Sequence, residues 1–186
     1  MLSFLYRFFF FRLGWKVSGD WPADERKFII VVAPHTSNWD FMIGLCVRSI
    51  TKLKAGFLGK KELFRFPFGG LFRRLGGYPV ERSKSTNFVE TVANMFREKE
   101  DFIVAIAPEG TRKFNDDWKT GFFYIAKSAE IPIVPTAIDY STKTVHIGVP
   151  VFVTGDVQES IQDLKVWFSG FKGKHPELGV KRPLDL

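Results

Sequence analysis

Cysteine is almost missing from this chain, and with it go two ways of building a stable site. Cys46 stands alone among 186 residues, which excludes an intramolecular disulfide and a cysteine-based zinc centre and is compatible with a reducing, cytoplasmic setting. Histidine is nearly as scarce, with only His35, His146 and His175 to serve as imidazole ligands. No Gly-x-Ser-x-Gly elbow and no Gly-x4-Gly-Lys-Ser/Thr phosphate loop occurs. An apolar run of about 20 residues, enough to span a bilayer, is absent as well. The nearest approach is residues 1–16, where Arg7 and Arg12 interrupt a phenylalanine-rich stretch that Gly14 and Lys16 end. No small-residue cleavage site follows, so a secretory signal is not expected. Two readings stand for this segment: an amphipathic helix in the membrane interface with its basic side chains snorkelling to the headgroups, or a first helix packed on the core.

What the chain does have is charge of one sign and purely apolar aromatics. With 27 basic and 20 acidic residues the net charge is +7, which favours an anionic partner, whether a phospholipid surface, a phosphorylated metabolite or nucleic acid. There are 21 phenylalanines against four tyrosines, a bias that suits contact with lipid or an acyl chain. Neither repeats nor linker-like tracts divide the sequence, so residues 1–186 are expected to form one domain. Buried strands are expected at 28–32, 54–58, 78–81, 102–107 and 133–138, with further strand material at 145–149 and 151–153. Helices are expected at 39–50, 86–97 and 118–129, and a last one follows Asp156 and Glu159. Strands alternating with helices predict an α/β fold whose mixed, partly parallel sheet is flanked by helices. Pro132 and Pro135 point to an edge strand or an irregular strand start at 131–138.

The richest segment is Ala33-Pro34-His35-Thr36-Ser37-Asn38-Trp39-Asp40. Five residues of continuous helix would leave His35 and Asp40 about 140° apart. A strand-to-helix corner, with Thr36, Ser37 or Asn38 capping the helix, would instead let Asp40 hold His35 Nδ1 and leave Nε2 free to take a proton. Taken alone, the pair reads equally as a polar loop histidine and a first-turn acid beside the helix dipole. A second candidate loop is Glu109-Gly110-Thr111-Arg112, which offers a flexible backbone, a hydroxyl and a guanidinium to an anion, with Glu109 able to orient Arg112 by an ion pair. Its plainer reading is a surface turn. Arg82, at the end of Gly77-Tyr78-Pro79-Val80-Glu81-Arg82, is a third candidate that could meet the same anion.

The ordered set His35-x4-Asp40, Gly77-x4-Arg82, Glu109-Gly110-Thr111-Arg112 and Ile131-Pro132-Ile133-Val134-Pro135 resembles the four blocks of the glycerolipid acyltransferases. Trp118-Lys119-Thr120-Gly121-Phe122 looks like their small bacterial members. Ala107 and Thr136-Ala137 depart from the usual pattern, and the N-terminal segment is shorter than in many relatives. The resemblance implies a glycerol-phosphate acyltransferase-like fold and an acyl-CoA or acyl-carrier-protein donor. It also implies a lysophospholipid acceptor such as 1-acylglycerol-3-phosphate, with no metal and no cofactor beyond the acyl cosubstrate. His35 would match the catalytic base and Asp40 its partner. Arg82, Glu109, Gly110, Thr111 and Arg112 match positions linked to the acceptor phosphate. The expected location is cytoplasmic and peripheral, on the inner face of an anionic membrane. The basic, phenylalanine-rich stretch from 57 to 72 would line an acyl path, dip into lipid, or form a helix pair with a solvated basic face. Two other readings are a lipid-surface protein without catalysis and a nucleic-acid-binding module, the latter on the charge and on Lys119-Thr120-Gly121-Phe122-Phe123-Tyr124-Ile125, a loose echo of an RNA-recognition strand.

Overall fold

A nearly unbroken run of buried apolar residues through Lys27–Ala33 forms a strand covered on both sides, with Ile29, Val31 and Ala33 on one face and Phe28, Ile30 and Val32 on the other. This strand is the middle of a single sheet with helices on both faces. The structure, a computed structural model, describes residues 2–81 and 85–182. In chain order it contains α1 (Leu2–Arg12), β1 (Lys16–Ser18), β2 (Lys27–Ala33), α2 (Trp39–Ile50), β3 (Ala55–Lys60), a 3-10 turn (Lys61–Phe64) and α3 (Gly69–Arg74). There follow β4 (Gly77–Val80), α4 (Ser85–Glu98), β5 (Phe102–Ile106), α5 (Gly121–Ala129), β6 (Ile133–Asp139), β7 (Thr144–Ile147) and α6 (Val157–Phe168). The seven strands lie in the order β1-β7-β6-β2-β5-β3-β4. Every pairing is parallel except β6 with β7.

The two faces are packed differently. Ile29, Val31, Ala33 and Val104 meet the apolar faces of α4, α5 and α6 in the main core, where Val92, Phe96, Phe122, Phe123, Ile125 and Phe168 are almost wholly buried. Full burial of one such side chain contributes about 1.5–3 kcal/mol. On the opposite face Phe10 of α1 and Ile43 and Val47 of α2 pack with Ile138 and Val145. The 3-10 turn and α3 lie on this second face too. Phe64 sits where a Cβ on Gly59 or Gly77 would be, beside Phe57, and Arg48 of α2 donates from Nη1 to the carbonyl of Leu75 just past α3.

Three expectations are corrected. The strand at 131–138 is not an edge: β6 lies between β7 and β2, with Pro135 opposite Val31. The ladder tolerates Pro135 because it falls beside Gly148, at the end of the β6–β7 pairing. Gly148 N–H donates to the Pro135 carbonyl at 2.8 Å, and the return bond that proline cannot make would be the last rung. The stretch 151–153 is not a strand but a single bridge from Val151 to Ile133. The helix expected from Trp118 starts at Gly121, because Lys119 N–H is drawn off to the carbonyl of Pro108 at 2.7 Å.

Candidate active site

At Ala33, β2 ends and residues 34–38 turn the chain into α2. The helical period sets Asp40, Ile43 and Val47 on the buried face, so the carboxylate is carried inward with the apolar residues. Asp40 is 3% exposed and fully engaged. Its Oδ2 accepts the backbone N–H groups of Thr36 at 3.0 Å and Ser37 at 2.9 Å and lies 3.1 Å from His35 Nδ1. An oxygen that already accepts two N–H groups is an acceptor toward the imidazole as well, so the geometry selects the neutral tautomer with its hydrogen on Nδ1 and Nε2 as the acceptor. Asn38 precedes α2 without a side-chain capping bond. Of the three residues expected to cap the helix, Ser37 does so, its Oγ accepting Trp39 N–H at 3.2 Å.

The second oxygen of Asp40 is held from far along the chain. Tyr140, just past β6, donates its hydroxyl to Oδ1 at 2.7 Å. Burial, followed by the bond to Asp40 and the charge of Asp40, pushes the Tyr140 phenol above its ordinary pKa, which keeps it a donor. The ring stands edge-on to Trp15 at 5.0 Å, and its backbone N–H donates to the carbonyl of Lys172 at 2.8 Å. The same C-terminal stretch reaches the histidine loop, where His175 N–H donates to Thr36 Oγ1 at 3.2 Å. Tyr140 escaped the sequence reading because nothing local marks a residue whose partner lies 100 positions away.

Glu109 follows β5, the strand beside β2, and points back at the same loop. Both of its carboxylate oxygens lie within reach of His35 N–H, at 2.9 and 3.2 Å. It is 5% exposed, and burial raises its pKa from about 4.5 to about 7 against the lowering effect of the His35 N–H. The expected ion pair with Arg112 is therefore not made, since Glu109 turns inward while Thr111 and Arg112 are exposed. Gly110 takes φ +67°, a left-handed conformation that side chains strain to adopt, and a Cβ there would rest against the Lys119 side chain. Asn115 Nδ2 donates to the Glu109 carbonyl, and Lys165 of α6 donates to Asp116, so the loop is fastened at both ends. Arg82 lies outside the described residues.

A cavity of about 200 Å³ begins at His35 and Asp40 and runs between α2 and the sheet. Phe41, Ile43 and Val47 line it from the helix, and Ile30, Val32, Ala55, Phe57 and Ala105 from the strands. Its wall is predominantly apolar, with Arg48 among the few polar exceptions. Among the described residues no three histidine, cysteine or carboxylate groups gather as a metal-binding cluster. The segment with the RNA-binding echo opens α5, where Phe122, Phe123 and Ile125 are buried and only Tyr124 offers an exposed ring.

A family model described as Acyltransferase matches residues 15–139. Over 143 residues the chain is 29% identical to the 1-acyl-sn-glycerol-3-phosphate acyltransferase of Salmonella typhimurium, a match covering 72% of this chain and 57% of that one. It is 31% identical over 146 residues to the human 1-acyl-sn-glycerol-3-phosphate acyltransferase beta, covering 73% and 51%. The chain thus spans little more than half the length of these curated relatives. Its fold is similar to the crystal structure of the 1-acyl-sn-glycerophosphate (LPA) acyltransferase PlsC from Thermotoga maritima, with a TM-score of 0.58, 21% identity, and coverage of 88% of this chain and 76% of the other.

Proposed function

Because the chain belongs to the acyltransferase family, we propose that it moves a fatty acyl group from acyl-CoA or acyl-carrier protein to a hydroxyl of a lysophospholipid such as 1-acylglycerol-3-phosphate. The observation that carries this reading is the His35–Asp40 pair, 3.1 Å apart at the end of an apolar cavity. His35 Nε2 accepts the hydroxyl proton as the acceptor oxygen bonds to the thioester carbonyl carbon, and Asp40 stabilises the imidazolium that forms. When the tetrahedral intermediate collapses, the carbon–sulfur bond breaks and the imidazolium returns the proton to the departing thiolate. The acyl chain lies in the cavity between α2 and the sheet, where a hydrocarbon meets mostly apolar side chains.

General-base assistance supplies about 10²–10⁴-fold, so the remainder must come from positioning and charge stabilisation. For the acceptor phosphate the reading assigns Arg112 and Thr111, exposed on the loop after β5, together with Lys119 against Gly110 and with Arg82. Glu109 holds His35 in place through its backbone N–H rather than touching phosphate. The enzyme works at the inner face of a membrane as a peripheral protein and uses no metal. The test is to incubate the protein with acyl-CoA and 1-acylglycerol-3-phosphate and follow diacylated product by mass spectrometry. Wild type forms it and His35→Ala, still folded, does not; a fully active His35→Ala would remove the base from the mechanism.

A further inference from the structure

Strands β6, β2 and β5 are adjacent and parallel, so the loops that follow them lie along one edge of the sheet. Those loops carry Tyr140, the His35 corner and Glu109 respectively. The segment after α6 crosses all three in turn. Lys172 meets the first, its N–H donating to Asp139 Oδ1 at 3.2 Å and its carbonyl accepting Tyr140 N–H at 2.8 Å. Gly173 and His175 meet the second at Pro34 and Thr36, and Lys174 sets its ammonium 5.0 Å from the centre of the Trp39 ring. Lys181 reaches the third, 4.5 Å from the centre of the Phe114 ring. All of these crossing residues lie past the acyltransferase region, which ends at residue 139.

Covering the loops would need no particular contact with the site, and Thr36 is where the contact becomes specific. It is 4% exposed, its hydroxyl accepts the His175 N–H at 3.2 Å, and its own N–H donates to Asp40 Oδ2 at 3.0 Å. One residue therefore joins the segment to the oxygen that holds His35 Nδ1 at 3.1 Å. The other oxygen of Asp40 is joined to it as well, through the Tyr140 hydroxyl and the bond from Tyr140 N–H to Lys172. The close approach depends on Gly173, which is buried. A Cβ there would lie 2.7 Å from Thr36 Oγ1, 3.0 Å from its Cγ2 and 3.3 Å from Pro34 Cγ, so only a residue without a side chain lets the backbone settle this near the corner.

We propose that residues 172–175 clamp the His35–Asp40 pair, with Thr36 and Gly173 as positioning residues that keep Asp40 aimed at Nδ1. Reacting groups displaced by about 1 Å lose up to about 10²-fold in rate, so a clamp on Asp40 is felt in the chemical step. That kinetic consequence rests on the acyl-transfer reading; the consequence for the imidazole does not.

The test compares Thr36→Ala, Thr36→Ser, Gly173→Ala and the double variant Thr36→Ala with Gly173→Ala, in the full chain below each variant's melting transition. With acyl-CoA and 1-acylglycerol-3-phosphate, Thr36→Ala and Gly173→Ala are each expected to lower kcat about tenfold with both KM values unchanged. Thr36→Ser is expected to stay within about twofold of wild type. Gly173→Ala is expected to add little in the Thr36→Ala background, which has lost the two atoms nearest the new Cβ. Nitrogen NMR of histidine-labelled protein reads the same link without substrate, in a chain with three histidines. Wild type is expected to hold neutral His35 as the Nδ1–H tautomer and Thr36→Ala to mix the two tautomers, with Thr36→Ser resembling wild type. An unchanged kcat and tautomer in Thr36→Ala would overturn the clamp. Equal losses in Thr36→Ala and Thr36→Ser would overturn it too, by tracing the effect to the missing methyl group. Additive losses in the double variant would strip Gly173 of its role. Should wild type form no diacylated product, the acyl-transfer reading fails and the tautomer still decides the clamp.

Discussion

At the scale of single residues, the site is notable for how many groups are spent on holding rather than reacting. Asp40 takes four hydrogen-bonding partners, and Tyr140 is the one that can be removed without altering either the backbone or the proposed base. Tyr140→Phe deletes only the bond to Oδ1. A lost hydrogen bond to a charged group is worth about 1.5 kcal/mol, so kcat is expected to fall about tenfold with the thioester KM unchanged; steady-state kinetics would detect it, and an unaltered kcat would reduce Tyr140 to a packing residue. Glu109 carries a different signature. Its folded pKa, about 7, exceeds the ordinary value near 4.5, so between those limits the folded chain holds a proton that the unfolded chain has released, and stability falls as pH rises through that window. The loss is on the order of 3 kcal/mol. Glu109→Gln keeps an oxygen for His35 N–H and removes the titration. Urea unfolding should show the variant gaining on wild type at pH 8 relative to pH 5, and an equal difference at both pH values would contradict this origin.

At the scale of elements, α2 does two jobs with one periodicity, aiming Asp40 at the histidine and lining the cavity with Phe41, Ile43 and Val47. If the acyl chain lies there, Ala55→Phe on the facing strand narrows the space and is expected to shift preference toward shorter acyl thioesters, read by competition between chain lengths with product mass spectrometry. The elements themselves were largely legible. β2 and α2 announce themselves by an unbroken apolar run and by a 3.6-residue period, and the corner between them was inferable because His35 and Asp40 cannot meet on one helix. What could not be read has physical reasons. Lys16–Ser18 is too short to display alternation, and only Val17 turns inward. Pro135 looked like an edge residue because proline lacks a donor, and only the ending of β7 beside it reveals why a central strand tolerates it. The inward turn of Glu109 was invisible because local spacing favoured its neighbour Arg112, whereas burial favoured the N–H of a residue 74 positions away.

At the scale of the whole molecule, the sheet separates two environments. One face builds the main core and is close to charge-balanced, and the other gathers the cavity, the candidate site and the basic, phenylalanine-bearing elements. The sheet's topology also fixes when the site can exist. His35 and Asp40 leave the ribosome five residues apart, but the strand that carries them is paired on one side with β5 and on the other with β6. Their fasteners, Glu109 and Tyr140, emerge 74 residues after His35 and 100 after Asp40. Contacts of such long sequence separation form late. A nascent chain therefore carries both reactive groups for most of its synthesis without an assembled active site, which takes shape only as the last central strand is delivered.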